Sequence, residues 1–103
     1  MQRLIVLYHT PTDPEAFDRH YRQTHIRLAQ QLPGLRQYTI SRGLVALQGE
    51  SPYHLVAELD FDDRTALDAA LGSQEGQVAV GDLANFATGG ATVLTCEVED
   101  VTH

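Results

Sequence analysis

The sequence predicts an α+β fold in which four strands and two helical segments follow one another as βαββαβ. Three observations predict it. An apolar, β-branched run occupies residues 3–9, an alternating run occupies residues 53–61, and each is followed by a stretch of helical periodicity with its own acidic cap. At 103 residues the chain is expected to be one domain, residues 1–103, because cores divide only above about 250–300 residues.

Residues 3–9 read as a strand buried on both faces, stopped by the breakers Thr10-Pro11-Thr12-Asp13-Pro14. Asp13 before Pro14 is the pairing of a helix N-cap with proline at the first helical position, and Glu15 suits the positive end of the dipole. On a 3.6-residue wheel Phe17, Tyr21, Thr24, Leu28 and Leu32 share one side of a helix of about 18 residues, which Pro33-Gly34 terminates. Residues 35–42 alternate as a second strand and residues 43–51 form a loop. In the third strand, residues 53–61, Tyr53, Leu55, Ala57, Leu59 and Phe61 share one face and His54, Val56, Glu58 and Asp60 the other.

Asp62-Asp63 can cap the next helix, whose apolar side is Leu67, Ala70 and Leu71 and which ends at Gly72. Residues 74–86 form a second helical piece, expected to be irregular because Gly76 and Gly81 weaken it. After Gly89-Gly90, residues 91–98 supply the last strand, in which the single cysteine, Cys96, reads as a small buried hydrophobe. This order is the split-βαβ or ferredoxin-like arrangement, with helices over one face of a four-stranded antiparallel sheet. The other face is expected to be hidden by a second copy of the chain, giving a closed homodimer with a chamber edged by His25.

Seven basic residues, all arginine and all scattered, stand against fourteen acidic ones for a net charge of −7. Such a surface argues against nucleic acid and against anionic membranes as partners. No apolar run approaches the roughly 18 residues of a membrane span, and the N-terminal run is too short for a signal segment, so a cytoplasmic location is expected.

The stretch from Tyr8 to Gly43 contains an F-x-x-H-Y-x-x-T-H-x-x-L-A core and a P-G-L exit, and it resembles the signature of the EthD family. A second block, S-Q-E-G-Q-V-A-V-G-D-L-A-N-F-A-T-G-G from Ser73 to Gly90, is similar to that family's second helical segment. The resemblance implies a dimeric α+β barrel of the kind associated with bacterial degradation gene clusters, first with ether catabolism. Relatives of that family act as isomerases, cyclases, decarboxylases or monooxygenases on small cyclic or polyketide substrates. The label reductase, often attached to such proteins, is a name and not evidence of hydride chemistry. Arg27 stands where the family commonly has proline, which predicts a straighter helix and a small shift of His25.

His25 is the first candidate for chemistry. It sits about 60° from Leu28 on the wheel, at the margin of the apolar stripe. There it could act as general acid or base, donate to a substrate carbonyl, or serve only as a structural histidine; the family motif brings the functional reading level with the structural one. His20, about 140° away, is not expected to couple with it and reads as a structural tie to a neighbouring loop. Tyr8 and Tyr38 are phenols that either orient a ligand or pack the core. His54 and Glu58, about 13 Å apart on one strand face, either bracket a ligand or bond across the subunit interface. Phe86 resembles the family's pocket-lining aromatic, with plain core packing as the alternative.

No H-E-x-x-H, C-x-x-C, G-x-G-x-x-G, P-loop or G-x-S-x-G motif is present, so neither a metal nor an organic cofactor is expected. The leading expectation is a cofactor-independent catabolic or tailoring enzyme, with His25 moving a proton on a small carbonyl, lactone or aromatic substrate. A non-catalytic ligand-binding or accessory protein of a degradation pathway is the alternative. A haem or metal centre using His25 or His54 is a third reading.

Overall fold

The computed structural model describes residues 1–102. Its elements are β1 (Gln2–His9), α1 (Pro14–His20), a π-helical turn (Tyr21–His25), α2 (Ile26–Gln30), β2 (Gln37–Ser41), β3 (Tyr53–Phe61), α3 (Arg64–Gly72), α4 (Gln74–Phe86) and β4 (Ala91–Glu97). The strands form one antiparallel sheet in the order β2-β3-β1-β4, the ferredoxin-like α+β arrangement.

Strand alternation decides which face meets the helices. Leu4, Val6 and Tyr8 of β1 lie opposite Leu59, Ala57 and Leu55 of β3, and all six are buried. With Phe17, Tyr21, Ala29, Leu32, Leu67 and Phe86 from the helical layer they make the core. Burying a side chain the size of Phe17 or Phe61 stabilises the fold by about 1.5–3 kcal/mol.

Within one chain only the helix-side face of β1 is buried. Ile5 and Leu7, opposite Glu58 and Val56, are only half-buried, because no element among the described residues covers that face. Leu94 and Cys96 of the edge strand β4 lie on the same open face, opposite Ile5 and Arg3, and both are exposed. Cys96 is therefore not the buried hydrophobe its strand position suggested. Near one end of this face Arg3 binds Asp60 through two bonds of 2.7 and 3.0 Å and reaches Glu58 at 3.1 Å.

Each helical segment starts where a side chain satisfies its free N–H groups. Asp13 accepts from the Ala16 N–H at 3.1 Å, Asp63 from Ala66 at 2.8 Å, and Ser73 from Gly76 at 3.0 Å. Asp62, the other candidate cap, instead pairs with Arg36 on the surface at 2.8 Å. The weakness expected of residues 74–86 is absent: α4 is a continuous helix of 13 residues. Gly76 is a packing requirement at the α3–α4 corner, where a Cβ would collide with the Ala70 carbonyl oxygen.

The first helical segment is not uniformly α-helical. Between Tyr21 and His25 it widens by one residue, and the Ile26 N–H reaches back to the Tyr21 carbonyl instead of to Arg22. The extra residue rotates everything after it. Phe17 and Tyr21 are buried as the wheel predicts, but the stripe continues through His25 and Ala29, leaving Thr24 exposed and Leu28 half-exposed.

Candidate functional site

The widened turn is what builds the site. It moves His25 from the margin of the helix to the middle of its buried side, where the residue is 6% exposed. α4 faces it with Asp82, also 6% exposed, which shares a helix side with Ala79 and Phe86 at the spacing of one turn.

Asp82 organises the imidazoles. His25 Nδ1 lies 2.9 Å from Oδ2, while His20 Nε2 lies 2.8 Å from Oδ1 and 3.0 Å from Oδ2. The Asn85 amide donates to Oδ1 at 2.9 Å. Burial alone would raise the Asp82 pKa. The bonds from Asn85, His20 and His25 outweigh that and hold it below the ordinary carboxylate range. An ionised carboxylate only accepts, so both histidine nitrogens facing it carry protons. His20 and His25 thus share one carboxylate, against the expectation that they would not couple. The helix widens between them, and Asp82 reaches both from a different element.

Burial pushes the His25 pKa down, against the Asp82 hydrogen bond and charge that favour the imidazolium. With Nδ1–H committed to Asp82, the neutral ring presents an unprotonated Nε2. That atom faces the Tyr8 hydroxyl at 3.5 Å, the outer limit of a hydrogen bond, so both groups retain capacity for a third partner. Tyr8 is fully buried, and burial followed by the neighbouring Tyr38 raises its pKa, so it stays a protonated donor. Tyr21 and Tyr38 share a 2.6 Å bond between their hydroxyls.

These four polar groups, Tyr8, Tyr21, His25 and Tyr38, converge on a cavity of about 200 Å³ between sheet and helices, otherwise walled by side chains such as Leu4, Val6, Ala57, Leu59 and Ala79. An apolar chamber with a few convergent polar groups is the usual form of a small-molecule site. The chamber lies on the helix-covered face of one chain. His25 thus edges a chamber of its own chain, between the helical layer and the sheet face beneath it.

Phe86 does not line the cavity. It lies behind the imidazoles, 4.7 Å from the His25 ring centroid and stacked on His20 at 5.3 Å, so it fixes their position. His54 is also elsewhere. The β1–β3 register slips between Tyr8 and His9, making His54 an extra residue that turns to the helix side. Its ring packs on Phe17 at 4.9 Å and its Nε2 meets Asp18 at 2.8 Å, whereas Glu58 stays on the open face with Arg3. The two do not share a face, because the slip breaks the strict alternation between them. Among the described residues no cluster of three or more His, Cys, Asp or Glu could hold a metal ion.

Asp82 and Tyr21 are the site residues that sequence reasoning missed. Their signal was present: Asp82 is a carboxylate on the same helix side as Ala79 and Phe86, and Tyr21 carries a polar atom inside an aromatic stripe.

The sheet order, the covered face and the Asp–His–Tyr chain opening on an internal cavity define a ferredoxin-like α+β domain with a preformed apolar chamber. The EthD domain model matches residues 9–90. An uncharacterized 11.0 kDa protein encoded in the thcB–thcC intergenic region of Rhodococcus erythropolis is 38% identical over 102 residues, 98% of each chain. The crystal structure of an ethyl tert-butyl ether degradation (EthD) family protein from Bacillus halodurans superposes with a TM-score of 0.90 at 36% identity, over 96% of this chain and 99% of that one. A dimeric ferredoxin-like protein of unknown function from Thermobifida fusca shares the fold at a TM-score of 0.71 and 17% identity, over 94% of this chain and 90% of that one. The chain belongs to the EthD family. Among the described residues no helix is long and apolar enough to cross a membrane.

Proposed function

We propose that the protein binds a small oxygen-bearing organic molecule in the inner cavity and moves a proton on it with His25, without a cofactor. The observation that carries this reading is the Asp82–His25–Tyr8 chain. Asp82 fixes the tautomer that leaves Nε2 free, and Tyr8 stands ready to donate to a carbonyl or lactone oxygen while Nε2 takes a proton from the adjacent carbon or hydroxyl. An apolar wall strengthens both interactions relative to water. The volume, about 200 Å³, suits a single-ring compound, since a cavity of about 150 Å³ accommodates benzene. Tyr38 acts through the Tyr21–Tyr38 hydroxyl pair on the same wall, and Phe86 and His20 hold the imidazole in place.

The open sheet face is the homodimer surface in this reading. Ile5, Leu7, Val56 and Leu94 form its apolar middle, and the Arg3–Asp60–Glu58 cluster lies toward one end. The Thermobifida fusca protein of this fold is described as dimeric. Because the cavity lies within one chain, the partner's contribution is to cover the sheet on which the cavity is built.

The test is solvent deuterium incorporation into small cyclic ketones, lactones and phenols, followed by mass spectrometry with wild type and His25→Gln. General acid–base catalysis contributes about 10²–10⁴-fold, so the variant should lose at least about a hundredfold in exchange rate while still binding ligand. Equal rates in the two proteins would remove His25 from the chemistry. Saturable binding with no exchange by wild type would identify a carrier.

A further inference from the structure

Behind Tyr21 lies a second, larger cavity of about 440 Å³. Tyr21 borders both chambers, and its hydroxyl is tied to Tyr38. The walls of this groove differ in kind from those of the inner cavity. Two arginines border it, Arg22 from the widened turn and Arg42 from the chain just beyond β2, together with Tyr53, Leu44, Leu55 and the Asp18–His54 pair.

Four arginines, Arg19, Arg22, Arg27 and Arg42, have no carboxylate partner among the described residues, and what sets Arg22 and Arg42 apart is that both border this one concavity. Arg3, Arg36 and Arg64 are each held by a carboxylate, at 2.7, 2.8 and 2.9 Å. Arg22 and Arg42 take part in no ion pair among the described residues, in a chain whose net charge is −7. Acidic residues outnumber basic ones two to one, yet two unmatched arginines border the same concavity. The groove's own carboxylate, Asp18, accepts from His54 Nε2 at 2.8 Å and is partly engaged. Planar guanidinium groups match carboxylates with paired donors, and the tyrosine and leucine side chains beside them suit an apolar body attached to such a carboxylate.

We propose that this groove is an organic-acid site: Arg22 and Arg42 take the carboxylate of a small aromatic or aliphatic acid whose apolar part lies against Tyr53, Leu44 and Leu55. The site is separate from the inner cavity and does not depend on His25.

The experiment uses the whole protein, labelled with ¹⁵N, and titrates it with benzoate, its neutral analogue benzamide, and acetate, which lacks the ring. Benzoate should shift the resonances of Arg22, Arg42, Tyr53 and His54 saturably. Benzamide and acetate should each bind at least about tenfold more weakly, a difference of about 1.4 kcal/mol. Arg22→Gln and Arg42→Gln alter exposed side chains, so both variants should fold, and each should weaken benzoate about tenfold while His25→Gln leaves it unchanged. The proposal is overturned if benzamide or acetate binds as tightly as benzoate, if neither arginine variant alters affinity, if shifts fall only on inner-cavity residues such as Leu71 and Ala79, or if benzoate produces no saturable shift.

Discussion

Replacing Asp82 by asparagine tests the site at the point on which its chemistry turns. The carboxylate is buried and receives protons from His20, His25 and Asn85 at 2.8–3.0 Å. Asparagine has almost the same shape but presents one oxygen and one NH₂. If its oxygen keeps His20 and Asn85, as Oδ1 does now, the NH₂ points at His25 Nδ1–H, and two donors face each other. The imidazole escapes by moving its proton to Nε2, which turns the group facing Tyr8 from an acceptor into a donor. Two charge-assisted bonds become neutral, each weakening by about 1 kcal/mol, and the third survives only as a neutral bond with the imidazole as acceptor, so Asp82→Asn should destabilise the fold by about 2–4 kcal/mol. With a urea m-value of about 1.5 kcal/mol/M, the midpoint should fall by about 1.3–2.7 M at fixed protein concentration. Long-range ¹H–¹⁵N correlation spectra report the tautomer directly, Nδ1–H in the wild type and Nε2–H in the variant. A variant that keeps Nδ1–H on His25, with a midpoint within about 0.5 kcal/mol of wild type, would refute the reasoning.

The two glycines of α4 should behave oppositely. Gly76→Ala forces a Cβ against the Ala70 carbonyl and should destabilise by about 2 kcal/mol or more, whereas Gly81→Ala meets nothing within 4 Å and should stabilise by about 0.5–1 kcal/mol; thermal melts compare them directly. Acid should weaken the fold in two stages. His25 has a folded pKa below its ordinary value of about 6.5, so between that value and the folded one the unfolded chain binds more protons; its contribution is present above about pH 6.5 and is lost as pH falls through that window. Asp82, lowered from 3.8, adds a second loss as pH falls below that value. Urea midpoints across this range check the order, and stability rising from about pH 7 to pH 5 would contradict it. Ile5→Asp with Leu94→Asp places charge in the apolar middle of the open sheet face and should convert a dimer to monomer in sedimentation velocity, leaving the inner cavity formed; an unchanged sedimentation coefficient would move the interface elsewhere.

Local chemistry made the architecture legible. Strand alternation in residues 53–61, the Asp13-Pro14 and Asp63 caps and the Pro33-Gly34 stop each act within a few residues, so the order of elements follows from the chain alone. The same holds for His25, which the sequence marked, and for Tyr8 and Tyr38, which the structure brings to the same cavity. What the chain did not disclose depends on contacts between distant segments. The widened turn at Tyr21–His25 has no local signature among these residues, yet one added residue determines whether His25 or Thr24 faces inward. Asp82 stands 57 positions from His25, and its meaning as tautomer-setter exists only once α4 packs across the first helical segment. His54 parted from Glu58 because of a one-residue slip between β1 and β3. Sequence fixes a period, and period fixes faces only while it is unbroken; a bulge or a wide turn shifts every later side chain, and tertiary packing decides where such a break is stable.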